Sequence, residues 1–164
     1  MRDVIIGIDN GVSGSIGIIL TEHNEYFFFK TPVFKTQDYT KKKKVISRLD
    51  RKAFKGIVGG YAFRDVKTFV ERPFINGKMF NASLSAVRCF EAQINILEDL
   101  NISYEILDSK ECQKPLLPQG VQGKDELKKA SLDVGNRLFP LQKEIKHPDR
   151  DALLIAEYAR RQNL

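Results

Sequence analysis

Three acidic residues stand where a chain would place metal ligands. Asp9 ends the apolar run Val4–Asp9, Glu71 ends the run through Thr68, Phe69 and Val70, and Asp151 opens an amphipathic stretch near the C-terminus. A strand that leaves the core and stops at an acid delivers that acid to the carboxyl edge of a sheet, where α/β proteins keep their sites. Two such strands and one helix would converge three carboxylates on one point. Hard divalent cations prefer carboxylate oxygens, and two Mg2+ ions about 3.5–4 Å apart hold both the attacking water and the leaving oxygen of a phosphodiester. These residues therefore suggest metal-dependent phosphodiester hydrolysis.

Positioning the acids requires a particular set of elements. Val4–Asp9 and Ser15–Leu20 read as short strands around a glycine-bearing turn, and residues 25–33 as a third, so the first three form an antiparallel meander. Val66–Glu71 is the next strand. Residues 82–100 form the strongest helix, with Leu84, Val87, Phe90, Ile94 and Leu97 spaced for one buried face. Residues 102–107 make a fifth strand, parallel to its predecessor because a long helix intervenes. Two prolines and two glycines mark residues 114–123 as a loop, before helices at Lys124–Leu138 and residues 149–161. The predicted fold is an α/β domain over residues 1–164: a mixed five-stranded sheet, antiparallel then parallel, flanked by helices.

Composition bounds the partners. The chain has 164 residues, 42% of them hydrophobic, a net charge of +6 and a pI near 9.3. An acidic site would thus sit inside a positive field, which favours a polyanion such as nucleic acid. No apolar segment approaches the ~20 residues that span a membrane and no leader is evident, so a soluble, cytoplasmic protein is expected. Cys89 and Cys112 lack zinc-like spacing with His23 or His147 and read as reduced, structural residues. The most basic stretch centres on Lys41, Lys42, Lys43 and Lys44. It reads as a mobile loop or the start of a helix carrying Ile46, Leu49, Phe54 and Ile57, and as either a DNA contact or a solvated charge run. Arg72, Asn76 and Lys78, after Glu71, are candidate phosphate ligands or ordinary solvated loop residues.

The element order is that of the ribonuclease-H-like fold, and three segments carry a closer resemblance. Gly7-Ile8-Asp9 with Gly11 and Gly14-Ser15-Ile16-Gly17, then Phe69-Val70-Glu71-Arg72-Pro73-Phe74, then His147-Pro148-Asp149-Arg150-Asp151-Ala152-Leu153 resemble the signature segments of RuvC-type Holliday junction resolvases. The likeness is ordered and covers nearly the whole chain, with a phage or viral member suggested by the departure at Lys41 to Lys44. It implies metal ligation by Asp9, Glu71 and Asp151, two Mg2+ ions with Mn2+ as a substitute, and paired nicks in four-way DNA junctions by a homodimer. It also implies 5′-phosphate and 3′-hydroxyl products, an aromatic wedge at Phe74, and a basic helix start at Lys124 that neutralises the scissile phosphate or binds backbone.

The fourth acidic position is open between Asp149 and His147, because Pro148 occupies the place three before Asp151. Residues two apart on a helix point about 200° apart, so Asp149 can join Asp151 only if it precedes the first turn. Pro148 favours such a late start. His147 would share the face of Asp151 only on a helix that began early, which an inner proline opposes.

Other classes fit less of the chain. The glycines around Asp9 also resemble the phosphate hairpin of sugar kinases and actin-like ATPases, but 164 residues cannot supply their second lobe. A silent DNA-architecture protein would gain nothing from aiming three acids at phosphates. Other ribonuclease-H-like enzymes, RNA-directed ones included, use the same carboxylates, but the helix after the Glu71 loop and the acid opening the last helix favour resolvases.

Overall fold

The computed structural model describes residues 3–142 and 144–164. In chain order the elements are β1 (Val4–Asp9), β2 (Ser15–Leu20), β3 (Glu25–Lys30), β4 (Val33–Gln37), β5 (Val45–Leu49) and helix α1 (Arg51–Gly59). There follow β6 (Val66–Glu71), α2 (Phe80–Asp99), β7 (Ser103–Leu107), α3 (Ser109–Leu116), α4 (Lys124–Leu138) and α5 (Asp151–Gln162). The main sheet has the order β3-β2-β1-β6-β7. β1, β2 and β3 pair antiparallel, and β6 and β7 extend the sheet in parallel, as the patterning predicts. Among the described residues, no helix is long and apolar enough to cross a membrane.

Alternation along β1 divides the interior in two. Val4, Ile6 and Ile8 join Ile16, Ile18 and Val70 beneath α1 and α2, while Ile5 joins Ile19, Phe28 and Phe69 beneath α3, α4 and α5. Gly7 shares the second face. It lies opposite Gly17 of β2, and α5 is seated on that pair. A Cβ on Gly7 would lie 2.1 Å from the Ala152 carbonyl oxygen, and one on Gly17 2.5 Å from the Leu153 nitrogen. The absent side chains therefore let the helix backbone touch the sheet. Gly7→Ala or Gly17→Ala should cost about 3 kcal/mol by overpacking, visible as a lowered melting temperature; an unchanged transition would contradict this seating.

Three expectations are corrected. The third strand ends at Lys30 rather than at position 33, because Pro32 has no N–H to continue the ladder; its carbonyl instead accepts from the Asp50 amide at 2.8 Å. Of its two expected settings the lysine run has the loop and not the helix start. It lies at the turn of a β4–β5 hairpin, with Ile46 and Leu49 on β5 and only Phe54 and Ile57 on α1, whose N-cap Asp50 accepts from the Ala53 amide. Third, residues 114–116 belong to α3, which a capping box between Asp108 and Glu111 starts ahead of the predicted loop. On α2 Ile94 and Leu97 are buried as expected, but Cys89, Gln93 and Ile96 join them, and Leu84, Val87 and Phe90 are only half-buried.

Candidate metal centre

Register brings the first two acids together. β1 and β6 run parallel with Ile8 opposite Val70, so Asp9 and Glu71 follow at the same edge of adjacent strands. Side chains alternate, so Asp9 shares the face of Gly7, the face that carries α5. Because Asp151 is the first residue of α5, the glycine seat sets it over that edge. Carboxylate oxygens of Asp9, Asp149 and Asp151 consequently all lie within 4.8 Å of one another. Glu71 shares a hydrogen bond with the Asp9 carboxyl, and its Oε1 accepts from the Ser109 hydroxyl at the start of α3. The β1–β2 turn closes onto the same group: a Cβ on Gly14 would lie 3.2 Å from Asp9 Oδ2.

Asp149 precedes α5, which frees it from the opposed helical spacing. Its side chain is 1% exposed and doubly paired, with Lys128 Nζ donating to Oδ2 at 3.1 Å and His147 Nδ1 lying 3.3 Å from Oδ1. Both His147 nitrogens face protein acceptors, since Nε2 lies 3.3 Å from the Ser13 carbonyl oxygen. The structure therefore places Asp149, not His147, among the clustered carboxylates, with His147 behind it. Arg150 fixes the connecting backbone. Its buried guanidinium donates to the carbonyls of Asp149 at 2.9 Å, Ile145 at 2.9 Å and Gln142 at 3.0 Å, and lies over the Phe28 ring at 4.9 Å. Gly135 of α4 leaves room for the Arg150 stem, whose Cβ is 2.3 Å from where a Gly135 Cβ would be.

The charges divide unevenly. Burial holds the Asp9 carboxyl well above the usual carboxylate range, with Glu71, Asp151 and Asp149 adding to the effect. Burial, and then the Asp149 charge, pushes Asp151 up to about 6, against a hydrogen bond from Ser131. Asp149 moves the other way: burial would raise it, but His147 and Lys128 outweigh burial and hold it low. His147 is raised because its bond to Asp149 outweighs its own desolvation. Two of the acids thus hold charge less readily than a free carboxyl. Asp151 Oδ1 and Asn10 Oδ1 are also buried acceptors without a donor. A set of hard oxygens with uncompensated charge fits a divalent cation.

A pH dependence follows. Asp9 and Asp151 have folded pKa values above their unfolded ones, so their contribution to metal-free stability is present at low pH and is lost as pH rises through the folded values, which for Asp151 is about 6. Mg2+ competes with those protons, so its gain in melting temperature should be larger at pH 7.5 than at pH 5. Calorimetry with and without Mg2+ would show this, and an equal gain at both pH values would contradict it.

The remaining sequence candidates lie around this cluster. Phe74 is 78% exposed in the loop after Glu71. A cleft of about 210 Å³ joins Asn10 and Glu71 to Arg72, Phe74 and Asn76. Arg72 pairs with Asp108 at 3.3 Å, the Asn76 side chain caps the turn before α2 by accepting from the Lys78 amide, and Lys78 is exposed. Lys124 is exposed at the first residue of α4. One turn along, Lys128 is the lysine that meets an acid; no spacing in the sequence distinguishes it from Lys124 or Lys129. Lys41, Lys42, Lys43 and Lys44 are exposed at the hairpin turn, outside the cluster. Cys89 and Cys112 are free and buried, with thiols pushed up to about 11 and about 12, chiefly by burial.

No protein-family model matches the chain, and no curated protein matches it. Solved structures do. T. thermophilus RuvC in complex with a Holliday junction substrate aligns over 97% of this chain and 93% of its own, with a TM-score of 0.58 and 14% identity. A second Thermus thermophilus RuvC structure aligns over 98% and 96%, with a TM-score of 0.45 and 16% identity. The chain has the RuvC-type resolvase fold: three antiparallel strands, then parallel ones, flanked by helices.

Proposed function

We propose that this protein is a metal-dependent endonuclease that cuts branched DNA, four-way junctions foremost, by paired nicks from a homodimer. The observation that carries the proposal is the convergence of Asp9, Glu71, Asp149 and Asp151 at one sheet edge of a fold shared with a resolvase solved on a Holliday junction. Those four residues would hold two Mg2+ ions, with Mn2+ able to substitute. When bound, the ions supply a metal-activated water and stabilise the leaving oxygen. Asp9, whose carboxyl burial holds well above the usual range, gives up its proton to become a ligand. Asp149 keeps its charge through His147 and Lys128, and Lys128 remains within reach of the carboxylate edge as a cation for the scissile phosphate. Arg72, Asn76, Lys78 and Lys124 contact backbone phosphates, and Phe74 offers an exposed ring against an unstacked base at the junction centre.

Binding in EDTA separates this substrate class from general affinity for DNA. A labelled four-way junction should bind at least about tenfold more tightly than a duplex of equal length, and equal affinities would count against it. Neutralising Lys41, Lys42, Lys43 and Lys44 together should reduce the salt dependence of binding, by about 0.9 in log–log slope for each phosphate left without its cation. An unchanged slope would make the run a solvated turn.

A further inference from the structure

On the opposite side of α2 from the Phe74 cleft lies a second concavity, between the helix and the β4–β5 hairpin. The hairpin pairs with nothing but itself among the described strands, and β5 leans on α2 to enclose about 620 Å³. Three exposed rings stand in its walls: Phe34 from β4, Tyr39 from the turn and Phe80 from the start of α2. Arg48 fixes one of them, donating to the Tyr39 hydroxyl at 2.7 Å with its guanidinium 5.9 Å from the ring centre. Lys44, Arg51 and Arg88 complete four cations against a single acid, Asp38. Asp38 Oδ1 already accepts from the Thr40 amide, the Thr40 hydroxyl and the Lys44 amide, all within the turn. Val12, three residues beyond Asp9, and Cys89 also line the groove.

We propose that this groove binds an unpaired nucleic-acid strand, its phosphates on the four cations and its bases on Phe34 and Phe80. Charge and rings together select that occupant. Cations in excess favour a polyanion, and aromatic faces set in the walls are useful only to bases whose own faces are free, which excludes those stacked within a duplex. A second copy of the chain is disfavoured, since a two-fold contact would set four cations against the same four. Because Val12, in the loop that follows Asp9, lines the groove, the strand it holds would be continuous with DNA at the carboxylates. In that respect the inference rests on the nuclease proposal and names its substrates more narrowly: junctions, flaps or forks with a single-stranded arm.

The test is the affinity of a fluorescent oligo(dT) for the full chain in EDTA, read by anisotropy beside a duplex of equal length. Phe34→Ala with Phe80→Ala should weaken oligo(dT) binding by about 5- to 100-fold, with duplex binding changed little. Arg48→Gln with Arg88→Gln should lower its salt dependence. All four side chains are at the surface, and circular dichroism would verify that the variants fold. Unchanged oligo(dT) affinity would overturn the proposal, as would equal losses on duplex. So would a mass change in light scattering on substitution, which would make the groove a contact between copies. None of these readouts uses cleavage, so a protein that cut no branched DNA but lost oligo(dT) binding in the variants would keep the groove and lose the nuclease.

Discussion

Asp9→Asn, Glu71→Gln and Asp151→Asn should each abolish Mg2+-dependent cleavage of a junction, by at least about 10³-fold, while junction affinity in EDTA is retained or slightly increased. Each change removes a metal-ligand oxygen charge and leaves the shape of the site. None of them adds negative charge facing DNA phosphates, so binding has no reason to weaken. The effects should be strongly non-additive, because one missing ligand already disables the ions. Asp149→Asn should behave like the other three. His147→Ala should leave measurable activity, since both ring nitrogens are directed at protein acceptors. An active Asp151→Asn enzyme would remove Asp151 from the metal site, and an inactive His147→Ala beside an active Asp149→Asn would exchange those two roles.

Arg150→Met should be the most destabilising single change next to the site. The residue is 1% exposed, and its guanidinium ties three carbonyls of the 142–149 segment to α5 within 3.0 Å and a fourth, that of His147, at 3.5 Å. Methionine fills much of the volume but leaves the Ile145 carbonyl without its donor, at about 1–3 kcal/mol before relaxation, and takes a second bond from the Asp149 and Gln142 carbonyls, which keep His147 Nδ1 at 3.2 Å and the Ile145 amide at 3.2 Å, at about 0.5–1.5 kcal/mol each. A net loss of about 3–5 kcal/mol would lower the melting temperature by roughly 10 °C in a chain of this size. The Asp149 carbonyl is one of the three, so Mg2+ binding should weaken as well in the protein that remains folded. Arg150→Lys should recover only part of either loss, because an ammonium cannot reproduce the planar fork. A methionine variant as stable as the parent would show that the latch contributes nothing.

What the sequence revealed, and what it hid, follows from how local each signal is. Asp9 and Glu71 are legible because each ends an apolar strand whose register is determined by a buried face on both sides. Asp151 is legible because Ala152, Leu153, Ile155 and Ala156 begin a buried helix immediately after it. The β4–β5 hairpin is not, because Ile46, Leu49, Phe54 and Ile57 fall at spacings a helix would also use, and only the single residue Asp50 divides strand from helix. A buried Gln93 widens the stripe on α2 beyond the expected Ile94 and Leu97, since apolar periodicity cannot count a buried amide. Lys128, Ser109, Ser131 and Arg150 become part of the site only through the packing of α3 and α4 against the edge and α5, which no spacing within one segment encodes. The capping acids Asp108 and Glu111 are the one local clue to α3.

The most direct test is cleavage of an end-labelled synthetic four-way junction beside a matched linear duplex, at equal protein concentration, with Mg2+ and with EDTA. Symmetric nicks near the branch point in Mg2+, none in EDTA and a spared duplex are the expected result. Equal cutting of both substrates, or cutting of neither, would contradict the branched-DNA assignment and leave the shared fold as a scaffold for a different nucleic-acid chemistry.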